Sequence, residues 1–283
     1  MTSEGSAQAP DRLDDDAGSE TPESPTFDTS VAHIARVYDY WLGGKDNYAA
    51  DRAAGDAALQ AYPDLASSVR VNRAFLARVV RYLTAEAGIR QFLDIGTGIP
   101  TSNNTHEVAQ SVAQDSRVVY VDNDPIVLSH ARALLTSSLK GATDYIDADL
   151  RDTDRILAEA ARTLDFTRPV AIMLIAILHL IGDEDDPAAI VARLLDAVPP
   201  GSYLAISHVA SDIEPEKMAE MRERLNRMVS QKGTYRTQAG VTSFFSGLEL
   251  VPPGVVRIQE WRPDAELEAK RPAAMWGGIG YKR

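Results

Sequence analysis

Carboxylates and glycines occur in one part of the sequence at a spacing that could bind an adenosine-containing ligand. The turn Asp94-Ile95-Gly96-Thr97-Gly98 follows an apolar run, and acids follow the next two apolar runs at Asp122 and Asp149. Glycine lets the backbone turn tightly and approach a ligand, because no Cβ intrudes. Acids at strand ends can accept hydrogen bonds from ribose hydroxyls and from an adenine amino group. Together these residues predict an adenosine ligand across the end of a sheet.

The residues around the turn favour one adenosine-containing ligand over another. The dinucleotide fingerprint needs a third glycine at position 101, where Thr101 stands, and the Walker phosphate-binding sequence is absent. Asp94 would repel a pyrophosphate but attract the sulfonium and amino groups of S-adenosylmethionine. We therefore predict S-adenosylmethionine as the cofactor. An NAD-dependent dehydrogenase and a non-catalytic sensor of S-adenosylmethionine or S-adenosylhomocysteine remain alternatives.

Alternating strands and helices after Gly88 would position these residues. Short apolar runs predict strands, and apolar residues at a helical period predict helices. The predicted strands are Gln91–Ile95, Val118–Asp122, Asp144–Asp147, Ala171–Leu178 and Tyr203–Ser207. The predicted helices are Asn104–Ala113, Pro125–Ser137, Thr153–Leu164 and Pro187–Ala197. This alternation predicts an α/β fold with a mostly parallel sheet and helices on both faces.

The regions on either side of the alternation have a different character. Residues 1–27 are acidic and have almost no large apolar side chains, so we expect them to be disordered. Three helical stretches predict an N-terminal helical cap over residues 28–88, followed by a cofactor-binding domain over residues 89–283. Near the C-terminus, Glu216–Val229 reads as an amphipathic helix, and Val255–Trp261 and Gly277–Lys282 as two last strands.

Three segments carry a family resemblance: Arg36 to Tyr48 (RVYDYWLGGKDNY), Val71 to Phe75 (VNRAF) and Phe92 to Thr101 (FLDIGTGIPT). They resemble a bacterial family of S-adenosylmethionine-dependent methyltransferases first known as a domain of unknown function. The Gly-Gly-Lys-Asp-Asn segment is the most specific part, and the resemblance spans roughly residues 30–283. It implies a class I methyltransferase (Rossmann-like) fold, with a seven-stranded, mostly parallel sheet whose last strand is antiparallel. It implies no acceptor.

Cofactor roles follow from this resemblance for residues at the strand ends. Pro100 departs from the general class pattern, in which a third glycine is common, but proline is acceptable where a helix starts. Arg73 could pair with the carboxylate of the cofactor, although a surface arginine is the default interpretation. Asp147 or Asp149 could instead cap the following helix. The predicted contacts are Asp94, Gly96, Thr97 and Gly98 for the methionine moiety and ribose, Asp122 and Asn123 for the ribose hydroxyls, and Asp149 and Leu150 for adenine.

The acceptor side is less well defined by the sequence. Methyl transfer depends largely on positioning, and a general base helps when the acceptor is a hydroxyl or a protonated amine. His179, just after the fourth strand, is the candidate catalytic residue. The alternative is a partly buried histidine bonded to a backbone carbonyl. His208, after the fifth strand, is a second candidate for lining the acceptor pocket.

Four residues of the N-terminal segment are predicted to bind the substrate: Tyr38, Lys45, Asn47 and Tyr48. Aromatic rings here could attract the sulfonium through cation–π contacts, or could pack the helices onto the sheet, as we expect for Trp41. The Lys-Asp-Asn loop favours a functional role, since such a loop gains little structurally from these residues.

Composition excludes several other functions. The 283 residues include no cysteine, which excludes disulfides and cysteine-ligated zinc or iron–sulfur sites. The net charge of −12 argues against a broad nucleic-acid footprint. No apolar run approaches the roughly 20 residues that span a bilayer, and the N-terminus lacks the features of a signal peptide. We therefore expect a cytoplasmic methyltransferase that acts on a small molecule and needs no metal.

Overall fold

The computed structural model describes residue 2, residues 28–134 and residues 137–283, with the backbone alone for residues 131–134. The segment 1–27, expected to be disordered, lies outside the described residues apart from residue 2. In the described ranges, helices cover both faces of a central sheet. The predicted α/β fold class is therefore confirmed.

Three N-terminal helices precede the sheet: α1 (Ile34–Leu42), α2 (Ala49–Ala61) and α3 (Leu65–Ala85). Helix α1 begins after His33, its N-cap residue, whose backbone is extended. It ends at Gly43, whose backbone has a left-handed φ of 87°. The Gly-Gly pair therefore marks the change from helix to loop.

Five parallel strands alternate with helices in the middle of the chain, as the apolar runs predict. The elements are β1 (Gln91–Ile95), α4 (Thr105–Val112), β2 (Arg117–Asp122), α5 (Pro125–Leu134), β3 (Ala142–Asp147), α6 (Thr153–Ala160), β4 (Ala171–Ile175), α7 (Pro187–Asp196) and β5 (Tyr203–Val209). Strand β4 is shorter than predicted, because the chain turns at Ala176, with a φ of 55°, into a 3-10 helix at Leu178–Leu180. A second 3-10 helix follows at Asp183–Asp185.

The C-terminal region differs most from the predicted elements. It contains α8 (Pro215–Met228), α9 (Gln238–Ser243), β6 (Glu249–Leu250), β7 (Val256–Arg257), α10 (Glu266–Ala269) and β8 (Met275–Tyr281). The strand expected over Val255–Trp261 is reduced to the two residues of β7. Arg78 explains why: its guanidinium donates to the carbonyls of Ile258 at 2.7 Å and Trp261 at 3.0 Å, so a side chain replaces the neighbouring strand as partner.

The strands form one eight-stranded sheet in the order β3-β2-β1-β4-β5-β8-β6, and β7 also pairs with β8. Strands β1 to β5 are parallel, and β8 runs antiparallel to β5. The path contains the seven strands that the resemblance implies, and the short β7 is the eighth. The strand order reverses between β1 and β4, which makes the carboxyl ends of these strands the expected ligand site.

Buried apolar side chains form two large clusters against the sheet and a third among the helices that cover the carboxyl ends of its strands. The third cluster joins α1, α2, the start of α3 and α8 to the end of β5 and the segment before β8. We call α1, α2, the first half of α3 and α8 the cap. The cap therefore includes a helix from beyond residue 88, while the division of the chain at that residue stays a prediction.

Candidate active site

A cavity of about 480 Å³ lies between the carboxyl ends of the parallel strands and the cap. Its volume is within the usual range for small-molecule sites. The wall is formed by the ends of β1 to β4, by α1, α3 and α8, and by residues 229–235 after α8. All nine residues predicted to bind the cofactor line this one cavity: Arg73, Asp94, Gly96, Thr97, Gly98, Asp122, Asn123, Asp149 and Leu150.

The glycine turn after β1 has a geometry that requires glycine at Gly96. Its φ is 76°, and a Cβ there would lie 2.5 Å from Cγ1 of Ile177. The Gly96 amide donates to the Val121 carbonyl at 2.8 Å, and the Thr97 hydroxyl donates to the same carbonyl at 3.3 Å. The turn is thereby tied to the end of β2, and its backbone can approach a ligand closely.

Asp94, the last-but-one residue of β1, is buried on the cavity wall. Its Oδ2 accepts a hydrogen bond from the Thr105 hydroxyl at 2.5 Å. Burial raises the pKa of Asp94 to about 6, with the Thr105 hydrogen bond acting in the opposite direction. A cation beside this carboxyl would favour the ionised form.

Arg73 projects from α3 toward the same end of the cavity. Its Nη2 donates to the carbonyls of Ser102 at 3.3 Å and Asn103 at 3.2 Å. Its Nε is buried and has no hydrogen-bond partner. An unpaired guanidinium N–H at a cavity wall is suited to a carboxylate of a ligand.

The acid after β2 organises the middle of the cavity wall. Asp122 accepts hydrogen bonds from the amides of Gly98 at 2.8 Å and Asp124 at 3.0 Å, one on each carboxylate oxygen. Burial raises the pKa of Asp122, and these two backbone hydrogen bonds act against that rise. Each oxygen keeps a lone pair with which it can accept a ligand hydroxyl.

Asn123 connects the acids after β2 and β3 to the segment after α8. Its amide nitrogen donates to Asp149 Oδ2 at 3.0 Å, and its Oδ1 accepts from Gln231 Nε2 at 3.3 Å. Asp149 lines the cavity, whereas Asp147 is exposed and lies outside the wall. The N-cap of α6 is Asp152, so neither acid caps this helix, and that alternative is wrong.

The two histidines after β4 and β5 have different environments. His179 is buried on the cavity wall, and its Nδ1 has no partner. Burial and the nearby Arg236 cation lower the pKa of His179 to about 4, so the ring is neutral at pH 7. His208 lies within 2.8 Å of the Val209 carbonyl through Nδ1 and within 3.1 Å of Arg236 Nη1 through Nε2. It is fully buried and outside the wall, so the expectation that His208 lines the pocket is wrong.

Tyr38 lies on the wall of the cavity, with its hydroxyl held by the protein. The hydroxyl accepts from Asn72 Nδ2 at 3.0 Å and donates to the Val69 carbonyl at 3.2 Å. Asn72 in turn accepts from the Ser207 hydroxyl at 2.6 Å. These bonds leave the ring of Tyr38 as the part that can contact a ligand, while Trp41 both packs in the cap and lines the cavity.

Lys45, Asn47 and Tyr48 are not among the residues that line the cavity. Asn47 is buried and donates to Asp39 Oδ2 at 2.9 Å and to the Gly44 carbonyl at 3.0 Å. The premise that this loop gains little structurally from these residues is therefore wrong for Asn47. Tyr48 caps α2, and Lys45 is exposed. A substrate role for these three residues stays a prediction without support from their position.

The cavity wall also includes residues that the sequence-based reasoning did not select. His33 Nδ1 lies 2.9 Å from Asp124 Oδ2, which links the start of α1 to the loop after β2. Gln231 has a buried Oε1 without a partner. His33 occupies an N-cap position just before an apolar helix, a signal that could have been noticed, whereas no pattern marks Gln231.

In the described part of the chain, no group of three or more His, Cys, Asp or Glu side chains could hold a metal ion. No helix in the same ranges is long and apolar enough to cross a membrane.

The sequence matches the family model of the S-adenosyl methyltransferases over residues 20–283. No curated protein matches the chain. A DUF574 family protein of known structure from Streptomyces avermitilis is 49% identical, with a TM-score of 0.87 over 90% of this chain and 99% of that chain. A candidate methyltransferase from Thermobifida fusca is 43% identical, with a TM-score of 0.83 over 90% of this chain and 97% of that chain. An S-adenosylmethionine-dependent methyltransferase from Anabaena variabilis, 12% identical with a TM-score of 0.51 over 89% and 96% of the two chains, shares the fold.

Proposed function

The chain belongs to the S-adenosyl methyltransferase family, and we propose that it methylates a small molecule bound beneath the cap. It is an S-adenosylmethionine-dependent enzyme. The observation that carries the proposal is the buried carboxyl of Asp94 on the wall of a cavity that extends from the strand ends to the cap. A buried acid with a raised pKa is costly to keep ionised, and a cationic ligand beside it offsets that cost.

When bound, S-adenosylmethionine supplies a methyl group on a cationic sulfur, and the carbon–sulfur bond breaks as the acceptor atom bonds to the methyl carbon. The residues of this chain fit such a ligand at its methionine end. Asp94 would attract the ammonium and sulfonium charges, and the unpaired Nε of Arg73 would donate to the carboxylate. Gly96, Thr97 and Gly98 would let the backbone lie against the ligand without a side chain between them.

The ribose and adenine would be held by the residues that follow β2 and β3. Asp122 would accept hydrogen bonds from the ribose hydroxyls, beside Asn123, and Leu150 would give adenine an apolar surface. Asp149 would accept from the adenine amino group. The free Oε1 of Gln231 is a further acceptor at this end, because Gln231 is already bonded to Asn123.

His179 is the residue proposed to act on the acceptor. Its imidazole is neutral at pH 7 and can accept a hydrogen bond or a proton. A ligand bound beneath the cap would also displace water from the space around the methyl group, which would leave the acceptor as the main nucleophile there. Tyr38 is proposed to contact the acceptor through its ring.

A dehydrogenase function is not favoured by the helix after the glycine turn. Dinucleotides place a pyrophosphate at such a helix N-terminus. In this chain, α4 begins with a capping box in which Glu107 bonds the Asn104 amide at 2.8 Å. The Asn104 side chain also accepts from the Thr101 amide at 3.2 Å. An acid and these internal bonds occupy the site that the pyrophosphate would need.

The test is calorimetry of the full chain with S-adenosylmethionine, S-adenosylhomocysteine and NAD. We expect both adenosyl ligands to bind and NAD not to bind. Asp122→Ala should weaken binding about 10- to 100-fold, the equivalent of about 1–3 kcal/mol for unpaired buried hydroxyls. Asp147→Ala, at the exposed end of β3, is the matched control and should bind normally.

Two results would contradict this proposal. If neither adenosyl ligand binds at millimolar concentration, the cofactor site is misassigned. If both bind but no member of a broad metabolite panel is methylated, the protein is a sensor of the cofactor and not a small-molecule methyltransferase.

A further inference from the structure

The cavity extends beyond the residues proposed to bind the cofactor. Apart from Arg73 on α3, those residues lie at the ends of β1, β2 and β3, whereas β5 and β8 lie on the other side of β4 in the sheet. Above β5 and β8, the helices of the cap complete the wall of the cavity. We call this part of the cavity the acceptor chamber, and its main wall residues are Trp41, Tyr62, Leu65, Met218, Met221 and Leu225.

The acceptor chamber has an apolar wall. Each of its six main residues is 6% exposed or less, and all belong to the hydrophobic cluster of the cap. Met218, Met221 and Leu225 recur on one face of α8, so the helix presents a continuous apolar surface. A polar or charged ligand group placed against this surface would lose its water without gaining a partner.

Charged side chains of the cavity wall lie away from the acceptor chamber. Of the described charged residues on the wall, one group surrounds the cofactor end, and Glu184 and Lys232 are exposed to solvent. The chamber wall, as far as the structure describes it, therefore offers no charge to pair with a carboxylate or an ammonium group. The group at the cofactor end comprises Arg73, Asp94, Asp122, Asp149 and Arg151.

Aromatic rings border the acceptor chamber and favour a flat ligand. Tyr38 and Trp41 make an edge-to-face pair with their centroids 6.4 Å apart. Tyr235 and His179, which also line the cavity, have their ring centroids 6.2 Å apart in a similar arrangement. A planar ring can stack on or meet the edges of such side chains with little loss of its own conformational entropy.

Ser68, Asn72 and Asn226 also line the cavity but are hydrogen-bonded within the protein, whereas the ring of His179 has a nitrogen without a partner. Its Nδ1 is fully buried without a partner, so Nε2 is the nitrogen that a bound molecule can reach. The ring binds a proton weakly, since burial and Arg236 lower its pKa to about 4. Nε2 of this neutral ring can accept a hydrogen bond from a ligand hydroxyl, and a phenolic hydroxyl, with a pKa near 10, gives up its proton more readily than the much less acidic aliphatic alcohol.

On the basis of the function proposed above, we infer that the acceptor is a neutral, flat aromatic molecule with a phenolic hydroxyl directed at Nε2 of His179. The hydroxyl oxygen forms a bond to the methyl carbon while the methyl–sulfur bond breaks. The electron pair of that bond remains on sulfur. The hydroxyl proton passes to Nε2 of His179 and then to water, which balances the reaction.

The experiment uses the full chain and four probes of similar size: 2-naphthol, decahydro-2-naphthol, 2-naphthoate and 2-(aminomethyl)naphthalene. Release of S-adenosylhomocysteine measures turnover, and calorimetry in the presence of S-adenosylhomocysteine measures binding. We expect 2-naphthol to bind and to be methylated. The saturated alcohol should react about 100-fold more slowly. Each of the two charged probes should bind at least about tenfold more weakly than 2-naphthol.

Two methionines of α8 provide matched variants. Met221 is buried in the acceptor chamber, whereas Met228 lies on the same helix and is 38% exposed. Met221→Ala should weaken 2-naphthol binding about tenfold, and Met228→Ala should not change it. Neither variant should alter the affinity for S-adenosylmethionine, because neither residue lies at the cofactor end.

The outcomes separate this inference from the proposed function. If S-adenosylmethionine binds but a charged probe binds as tightly as 2-naphthol, or 2-naphthol does not bind, the inference is wrong while the methyltransferase function stands. Preferred methylation of the amine or the saturated alcohol would also overturn it. Failure to bind S-adenosylmethionine would overturn the proposed function first and the inference with it.

Discussion

The protonation of Asp94 can be measured through the affinity of the protein for S-adenosylmethionine. Its pKa of about 6 in the free protein comes from burial, which the hydrogen bond from Thr105 only partly offsets. Below this pH the carboxyl is neutral and cannot attract a cation, whereas above it the negative charge is present. The dissociation constant for S-adenosylmethionine should therefore rise as the pH falls through about 6.

We expect Asp94→Asn to weaken S-adenosylmethionine binding about 10- to 100-fold at pH 7.5 and to flatten its pH dependence between about pH 5 and 7. Asparagine retains an oxygen for the Thr105 hydroxyl but carries no charge. Calorimetry over this range measures both effects. Asp147→Asn, at an exposed strand end, is the control and should keep the slope of the unaltered protein. An undiminished slope in Asp94→Asn would assign the titration to another group.

The same substitution should stabilise the ligand-free protein. The folded pKa of Asp94 lies above its ordinary value of 3.8, so the folded state binds more protons than the unfolded chain between these values. Stability therefore falls as the pH rises through this window, and the buried charge is destabilising above it. Asp94→Asn removes that effect and should raise the free energy of unfolding by about 1–3 kcal/mol at pH 7.5. Urea denaturation measures this free energy of unfolding, and a decrease in the Asp94→Asn variant would contradict the prediction.

Residues at the ends of adjacent strands could be found from the sequence, because short motifs encode them locally. Asp94, Asp122 and Asp149 each follow an apolar run that reads as a strand, and parallel strands bring such ends together. His33 and Gln231 reach the same cavity from α1 and from the segment after α8. Their positions depend on how the cap packs, and helix packing leaves no comparable short motif in the sequence.

Elements buried on both faces were predicted better than elements whose partners are side chains. Strands β1, β2, β4 and β5 are almost wholly buried and lie within a few residues of their predicted bounds, since their apolar runs reflect burial. The edge strand β3, which is mostly half-buried, also lies close to its predicted bounds. Strand β7 is much shorter than predicted, because the guanidinium of Arg78 donates hydrogen bonds to the backbone carbonyls that follow it. The four-residue α10 and the two-residue β6 are too short to give a periodic signal.

The loop between α1 and α2 is the element whose role can now be tested directly. Asn47 donates a hydrogen bond to the buried Asp39. Burial raises the pKa of Asp39, and this hydrogen bond offsets part of that rise. Asn47→Ala should lower the free energy of unfolding by about 1–3 kcal/mol, because Asp39 loses a partner while remaining buried. Chemical denaturation measures this loss. The affinity for S-adenosylmethionine should change little, since Asn47 lies outside the cavity wall.

Lys45→Ala is the matched control in the same loop. Lys45 is exposed, so its removal should alter neither stability nor turnover. If Lys45→Ala raised the KM of the acceptor at unchanged stability, the substrate role predicted from the sequence would hold, and the structural account of this loop would be incomplete.

At the scale of the molecule, the cap and the sheet share one cavity and one set of contacts. Helix α3 contributes Arg73 to the cofactor end and Leu65 to the acceptor chamber, and its Arg78 holds the backbone before β8. Helix α8 follows β5 in sequence but packs in the cap cluster with α2. Neither part buries its apolar surface without the other, so the two should unfold together.

We therefore expect scanning calorimetry to show one cooperative transition for the cap and the sheet, although the sequence suggested a boundary at residue 88. S-adenosylhomocysteine at about 100 times its dissociation constant should stabilise the folded state by about 2.7 kcal/mol and raise the Tm of that transition by about 5–10 °C. Asp122→Ala at the same ligand concentration should show a smaller shift, since it binds less. Two separate transitions, or a ligand shift confined to one of them, would show that the cap folds independently and docks onto the sheet only weakly.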